Sequence, residues 1–434
     1  MYKGKVKIPP LAMQDDTLGI SSCGKKSVDM NNFLNQQTNV MQLQFGTDKC
    51  VKMHIQKKHK LQNPSQCPQL SVDSWKDEVK EDENGKEILV DEYEGKIVMK
   101  DVTEKKYLGN IISNDLKNKK NIQDRTNKAA GNIEKIISGL QERPYGRNKF
   151  RAAKVMRQAM LIGPMLNNSE TWINVTKDDV DDLTKPETTF NRKLLATSGN
   201  PSKVFMTLET GFLPVKYVMM ANRLKFLNYT LNESMETTVR EVYETQKCDS
   251  KRGDFVDLVQ KDIKEIELDL NEEEIKAMNK MEWKTFIDEK IKVAALKNLN
   301  LENSKLDKTK HIDFKELKMS EYLIKNKESS LTQIIFSIRS GTLDIKSWNP
   351  WKYDDILCVG CGKEEENMTH FMSCMTYGED SQCTHWQDIW IDNCDIQYDI
   401  AFRARRRLEL RDRIIEADEA GQDISLAPML HITC

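Results

Sequence analysis

The stretch "NIQDRTNKAAGNIEKIISGL", residues 121 to 140, decides the class of the fold. Ile122, Ala129, Ile133, Ile136, Ile137 and Leu140 keep near one face of a helix, while the other positions are polar or small. Upstream of it the period is two. In "KEDENGKEILVDEYEGKIVMKD" (80 to 101), Asn84-Gly85, the favoured two-residue hairpin turn, precedes the alternating Ile88 and Val90. A second turn at Glu94-Gly95 is expected to lead into Ile97 and Met99, which makes a hairpin or a three-stranded meander. Residues 1 to 115 therefore read as strands with turns. Downstream, helix is expected with few interruptions to about residue 340, with Pro164, Pro186, Pro201 and Pro214 marking boundaries or kinks. Asn271 and Glu274 form a capping box opening "EEEIKAMNKMEWKTFIDEKIKVAALK". The polar run "LENSKLDKTKHID" (301 to 313) reads as a linker. The expected class is α+β, mostly helical.

At 434 residues the chain is long enough for more than one domain. Apolar residues are 38% and charged residues 31% of it, a helical and well-solvated profile rather than a membrane-embedded or disordered one. The formal charge of −2 gives no global case for nucleic acid, so any such case rests on local Lys and Arg clusters. The start, "MYKGKVKIPPLAM", has no apolar core of a signal peptide, and no run reaches the roughly 18 apolar residues of a spanning helix. An intracellular, non-secreted protein without membrane contact is expected.

Ten cysteines, two of them in Cys358-x2-Cys361, point to reduced thiols and one metal site rather than a disulfide framework. In "CVGCGKEEENMTHFMSC" (358 to 374) the set Cys358, Cys361, His370 and Cys374 supplies three thiolates and an imidazole at spacings that let two short knuckles converge on a tetrahedral zinc ion. Cys383 could replace Cys374 in a different arrangement. A closed set of four leaves no open position, so the zinc is expected to be structural and to present its surroundings to RNA or DNA.

Near the start, "PPLAMQDDTLGI" sets Asp15 beside Asp16 between short apolar runs. Two adjacent like charges repel, and a magnesium ion relieves that cost because hard carboxylate oxygens suit it. The competing reading is a solvated turn. The surroundings carry a resemblance. "AMQDD" resembles motif C of reverse transcriptases, "LQFGTDKC" (43 to 50) resembles motif D, and "KKYLGNIIS" (105 to 113) resembles the primer grip, with Tyr107, Leu108 and Gly109 in its Tyr-Leu-Gly. In order and spacing the chain is similar to the C-terminal part of non-LTR (LINE-like) retrotransposon reverse transcriptases, continuing through "LNNSETW" and "LETGFLPVKYVMMANRLKFL" to the cysteine cluster.

That resemblance implies the end of a palm with motifs C and D over 1–60, a primer-grip-like hairpin region over 61–118 and a helical thumb or connection over 119–345. A zinc knuckle over 346–376 and a helical tail over 377–434 follow. It implies that Asp15 and Asp16 hold magnesium and that Lys49 acts near the triphosphate. An RNA template with a DNA primer, or an RNA–DNA duplex, would be the partner. The family's further metal-binding Asp lies in motif A, before motif C, whereas residues 1 to 14 hold no Asp or Glu. The two-metal arrangement is therefore expected to be incomplete, with nucleic acid bound but no polymerisation by this chain alone and deoxynucleotide bound only by a fuller enzyme. The alternative is a non-enzymatic, zinc-containing helical protein derived from a retroelement, binding RNA or DNA or acting as a scaffold.

Two basic clusters complete the sequence reading. In "RPYGRNKFRAAKVMRQAMLIG" (143 to 163), Arg147, Arg151 and Lys154 fall together with Arg157 beside them, and Ala152, Val155, Met156 and Ala159 make the opposite, apolar side. Such a stripe either tracks a phosphate backbone or is a solvated face. In "AFRARRRLELRDRIIEADEA" (401 to 420) the acids interleaved after Glu409 favour a solvated face for Arg403, Arg405, Arg406, Arg407, Arg411 and Arg413.

Overall fold

The computed structural model describes residues 11–13, 16–18, 20, 24–40, 50–53, 55, 69–81, 87–107, 109–142, 148–197 and 199–420. The α+β, mostly helical class holds. Strands β1 (Leu11–Met13) and β2 (Asp16–Leu18) precede helix α1 (Gly24–Val40), and the remaining strands follow as β3 (Val51–Lys52), β4 (Ser71–Glu81), β5 (Glu87–Val98), β6 (Lys100–Asp101), β7 (Glu104–Tyr107) and β8 (Asn110–Ser113). The helices continue as α2 (Lys119–Glu142), α3 (Lys149–Met156), α4 (Gly163–Leu166), α5 (Lys177–Leu195), α6 (Lys203–Thr210), α7 (Val215–Asn232), α8 (Thr238–Cys248) and α9 (Phe255–Glu265). After them come α10 (Glu272–Ala277), α11 (Lys280–Asn303), α12 (Glu321–Lys325), α13 (Ser329–Arg339), α14 (Met368–Ser373) and α15 (Cys394–Glu419). Among the described residues no helix is long and apolar enough to cross a membrane. The chain divides into two compact units.

The first unit comprises residues 1–123, 171–179 and 227–260. Among the described residues its strands form four two-stranded sheets: the antiparallel pairs β1–β2, β4–β5 and β7–β8, and the parallel pair β3–β6. The long β4–β5 hairpin is the one read from the sequence, although Asn84-Gly85 lies outside the described residues. Glu94-Gly95 is not a second turn. Ser74 pairs with Gly95 and Trp75 with Tyr93, so Glu94 is the extra residue of a β-bulge and the strand runs on to Val98. Gly95 has φ +115, which a side chain would resist, and Ser74 Oγ donates to Glu94 Oε2 at 3.1 Å. Helix α1 anchors this hairpin, since Asn31 and Asn35 both donate from Nδ2 to Ser71 O, at 2.7 and 3.0 Å.

The second unit comprises 124–170, 180–226 and 261–434. The stripe predicted over 121–140 is its entry: Ala129, Ile133, Ile136 and Leu140 are buried. Helix α6 has Val204 through Thr210 buried, as an element surrounded by others must be apolar or internally paired. Its one carboxylate, Glu209, accepts from Arg339 Nε at 2.7 Å and from Ser320 Oγ at 2.6 Å. Ser202 caps its start, and Gly211 ends it at φ +62, where a Cβ would come 2.2 Å from the carbonyl carbon of Lys318. Farther on, Trp283 Nε1 donates to Leu224 O at 2.8 Å and seats α11 on α7.

Several expectations are corrected in this unit. Pro186 lies inside α5 rather than at a boundary. The capping box of Asn271 and Glu274 opens only α10, and a second box, Asn279 with Glu282, opens α11, because the chain is extended at Met278 between them. The run 301–313 is not a linker. Asn303 is buried, its Nδ2 donates to Thr309 O and Ile312 O at 2.8 and 3.1 Å, and its Oδ1 accepts from Thr309 Oγ1.

The basic helix α3 also turns differently from the wheel reading. Its buried side is Phe150 and Ala153, while Val155 is 69% exposed and Ala159 is exposed. Arg157 is not beside Arg151 and Lys154 on the surface. It is buried against Glu187, donates to Leu213 O at 3.0 Å and lies 4.8 Å from the Phe212 ring centre. The wheel took small aliphatic residues as the core face, but the bulkier Phe150 anchors the helix. From Arg157 to Ile162 the chain winds as a π-helix, which shifts the phase of everything after Met156.

Candidate metal centre

The centre is built on two short segments that the sequence pins locally. Leu357 and Glu365 form an antiparallel bridge, and within it Cys358 N donates to Glu364 O at 2.7 Å and Gly362 N to Cys358 O at 2.8 Å. This tight knuckle needs its glycines: Gly362 has φ +64, and a Cβ on Gly360 would meet the Tyr377 ring at 2.9 Å. The second segment is α14. Asn367 caps it by accepting from His370 N at 2.9 Å, and Cys374 N donates back to His370 O at 2.7 Å as the helix ends. His370 inside the helix and Cys374 at its C-terminal cap are thereby set four residues apart on the side of the knuckle.

The four predicted ligands come together: their ligand atoms all lie within 4.8 Å of one another, and among the described residues this is the group able to hold a metal. Cys358 Sγ and Cys374 Sγ are 3.8 Å apart, and Cys361 Sγ and His370 Nε2 are 3.3 Å apart. Tetrahedral zinc with Zn–S bonds of ~2.3 Å spaces two sulfurs by about that amount, roughly 3.8 Å. His370 presents Nε2 to the cluster while its Nδ1 lies 3.2 Å from Glu364 Oε2. A carboxylate on the far nitrogen fixes the ring and the tautomer and raises the basicity of the ligating atom. Burial pushes the Cys361 thiol up, but the backbone N–H groups of Lys363 and Glu364, with His370 and Cys358, outweigh it and bring it down to about 6. The Cys358 thiol is pushed by burial up to about 11. The donor set fits zinc.

What the sequence reading missed is the frame beneath these ligands. Arg407 is fully buried and donates to four backbone carbonyls: Ser381 O at 2.9 Å, Phe371 O at 2.7 Å, Cys374 O at 2.9 Å and Gly378 O at 3.3 Å. It clamps the chain on both sides of the last ligand. Arg411, one turn on, pairs through Nε with buried Glu366 at 3.1 and 3.2 Å. Glu366 in turn accepts from Lys346 N at 2.9 Å and Val359 N at 3.3 Å, holding the knuckle from below. Neither arginine is a solvated residue, which corrects the reading of that cluster. The signal was present: Cys394, Gln397, Ala401, Ala404, Arg407 and Arg411 are all buried and recur at intervals of three or four on α15. Arg405 is half-buried and paired with Glu328.

The other sequence candidates are placed as follows. Asp15, Lys49, Leu108 and Arg147 lie outside the described residues. Asp16 opens β2, its backbone opposite Met13. Tyr107 and Gly109 belong to the β7–β8 hairpin, in which Tyr107 pairs with Asn110 and Gly109 takes φ +82, so the glycine of Tyr-Leu-Gly is explained by the tight turn alone. Arg151 and Lys154 are exposed, three positions apart on α3. No family model, curated protein or solved structure matches the chain.

Proposed function

We propose that this chain binds nucleic acid through a module ordered by zinc on Cys358, Cys361, His370 and Cys374, and that it corresponds to the C-terminal part of a non-LTR reverse transcriptase. The observation that carries the metal reading is the convergence of the four ligand atoms, with His370 backed by Glu364. Zinc there is structural: with all four positions taken by protein it neither activates water nor polarises a substrate. Its work is to fold the segment between α13 and α15 into a rigid surface. The polymerase reading is supported by the order of the motifs around Asp16, Tyr107 and Gly109, and it makes RNA, or an RNA–DNA duplex, the partner.

The test is expression of these 434 residues with measurement of metal content and RNA binding. One zinc per chain is expected by native mass spectrometry, lost in Cys361→Ser, with binding to structured RNA lost in parallel. Full zinc in that variant removes the site. Zinc with no affinity for RNA or DNA removes the nucleic-acid reading.

A further inference from the structure

Against the metal cluster, sharing His370 and Glu364 with it, lies an open cavity of 460 Å³. That volume falls within the range of small-ligand pockets, roughly 300–1,000 Å³. Its lining includes two half-buried tryptophans, Trp348 and Trp386, together with Glu364, Asn367, Thr369 and His370. Trp386 is fixed in place, since its Nε1 donates to Thr369 Oγ1 at 3.2 Å, on the helix that carries His370. Trp348 is held by its backbone: its N–H donates to Ile345 O at 3.1 Å, and Lys308 Nζ donates to its carbonyl at 3.4 Å.

We infer that this cavity binds one unpaired nucleobase, stacked on Trp348 or Trp386, with its edge read by Glu364 and Asn367. Three features select a base from other parts of a nucleic acid. Indole faces take any base by stacking, and polar side chains at the walls supply edge contacts. Among the described residues no Lys or Arg lines the cavity, so it suits the uncharged base and not a phosphate. A base held in a helix cannot enter a recess, which makes the ligand single-stranded. Glu364 refines the choice further. Its Oε2 lies 3.2 Å from His370 Nδ1, which leaves Oε1 to meet a donor, and cytosine, adenine and guanine carry an exocyclic amine where uracil has none. The metal site and the base site are thereby coupled: zinc on Nε2 fixes the ring whose other nitrogen orients Glu364. This inference rests on the nucleic-acid reading above, and the test separates the two.

The experiment uses the full zinc-loaded chain and labelled single-stranded 12-mers of adenosine, cytidine and uridine, read by fluorescence anisotropy. Trp348→Ala and Trp386→Ala are each expected to weaken the adenosine and cytidine oligomers roughly ten- to a hundredfold, the loss of one stacked base. Trp386→Phe keeps an aromatic face and retains most of the affinity. The parent binds uridine more weakly, and Glu364→Gln reduces the discrimination. Zinc content and circular dichroism establish that each variant is folded. If both alanine variants bind like the parent while Cys361→Ser does not, the base site is wrong and the zinc-dependent reading stands. If the zinc-loaded parent binds no nucleic acid, both fall. If a trimethyllysine peptide binds in a Trp386-dependent way while the oligomers do not, the cavity is a cage for cations and the inference is overturned.

Discussion

Replacing Arg407 by alanine tests whether the metal centre depends on a side chain that never touches the metal. The guanidinium is fully buried and supplies four hydrogen bonds to carbonyls between Phe371 and Ser381, the segment that contains Cys374. A hydrogen bond to a charged group is worth ~1.5–3 kcal/mol, but four of them do not add in full, because the freed carbonyls relax toward water. Breaking a buried charged network costs about 3–5 kcal/mol, and that is the expected magnitude here. Zinc binding and folding of its ligand segment are one process, so the loss appears as weaker zinc affinity, by about two to three and a half orders of magnitude. It does not abolish binding, since sites of this kind bind with ~10–16 kcal/mol. Competition against a chromogenic chelator measures the shift, and Arg413→Ala, on the exposed side of α15, serves as the control. Arg407→Lys should fall between, because an ammonium is a point donor that cannot span four carbonyls. If Arg407→Ala held zinc as tightly as the parent, the clamp would be incidental and the knuckle would be shaped by its glycines and caps alone.

Gly211→Ala is expected to destabilise the second unit by more than ~2 kcal/mol in denaturant unfolding, since it forces a side chain to φ +62 and into the backbone of Lys318. His311, lying edge-on to Trp390 at 4.5 Å, should titrate below the usual 6.5 in an NMR titration, because partial desolvation of this otherwise exposed ring and the nearby Arg339 both oppose its protonation. With the folded value below the unfolded one, its contribution to stability is fully present above 6.5 and is lost as pH falls from there through the folded value. Reversing Arg151 and Lys154 to Glu should weaken duplex binding across sequences and flatten the log–log salt dependence by roughly one unit per phosphate contact removed. A folded double variant with unchanged affinity and slope would show that this face is only solvated.

What was legible in the sequence follows from how local each feature is. The candidate metal ligands were readable because two knuckles, each within a few residues, set their own geometry through Gly360, Gly362 and the Asn367 cap. The stripe ending at Leu140 was readable because period alone fixes which face is buried. The bulge at Glu94-Gly95 was not, since a glycine with positive φ serves a turn and a bulge equally well and only the partner strand decides. The charged residues misled most. Arg157, Arg407 and Arg411 look like surface chemistry in one dimension, yet each finds a distant acceptor: Glu187 for the first, carbonyls beyond the metal ligands for the second and Glu366 for the third. A buried arginine cannot be told from an exposed one by composition. It can be told by whether it falls in phase with the alanines of its helix, as Arg407 and Arg411 do with Ala401 and Ala404.

The buried arginines divide the proposed nucleic-acid contacts into two kinds. Once Arg407 and Arg411 point inward and Arg403 and Arg405 are engaged by Asp399 and Glu328, α15 offers few of its arginines to phosphates near the metal centre, and Lys363 is the exposed cation on the knuckle. The cavity beside it has aromatic walls and a carboxylate instead. On the proposed reading, affinity generated there would come from stacking and edge contacts, which release few counterions, whereas affinity generated on α3 would come from Arg151 and Lys154 and fall with salt. The two contributions therefore separate by ionic strength. Raising salt strips the α3 contribution and leaves the tryptophan site, so a Trp386 variant loses a larger share of its binding at high salt than at low salt. A duplex, with no free base to offer the cavity, feels only the first.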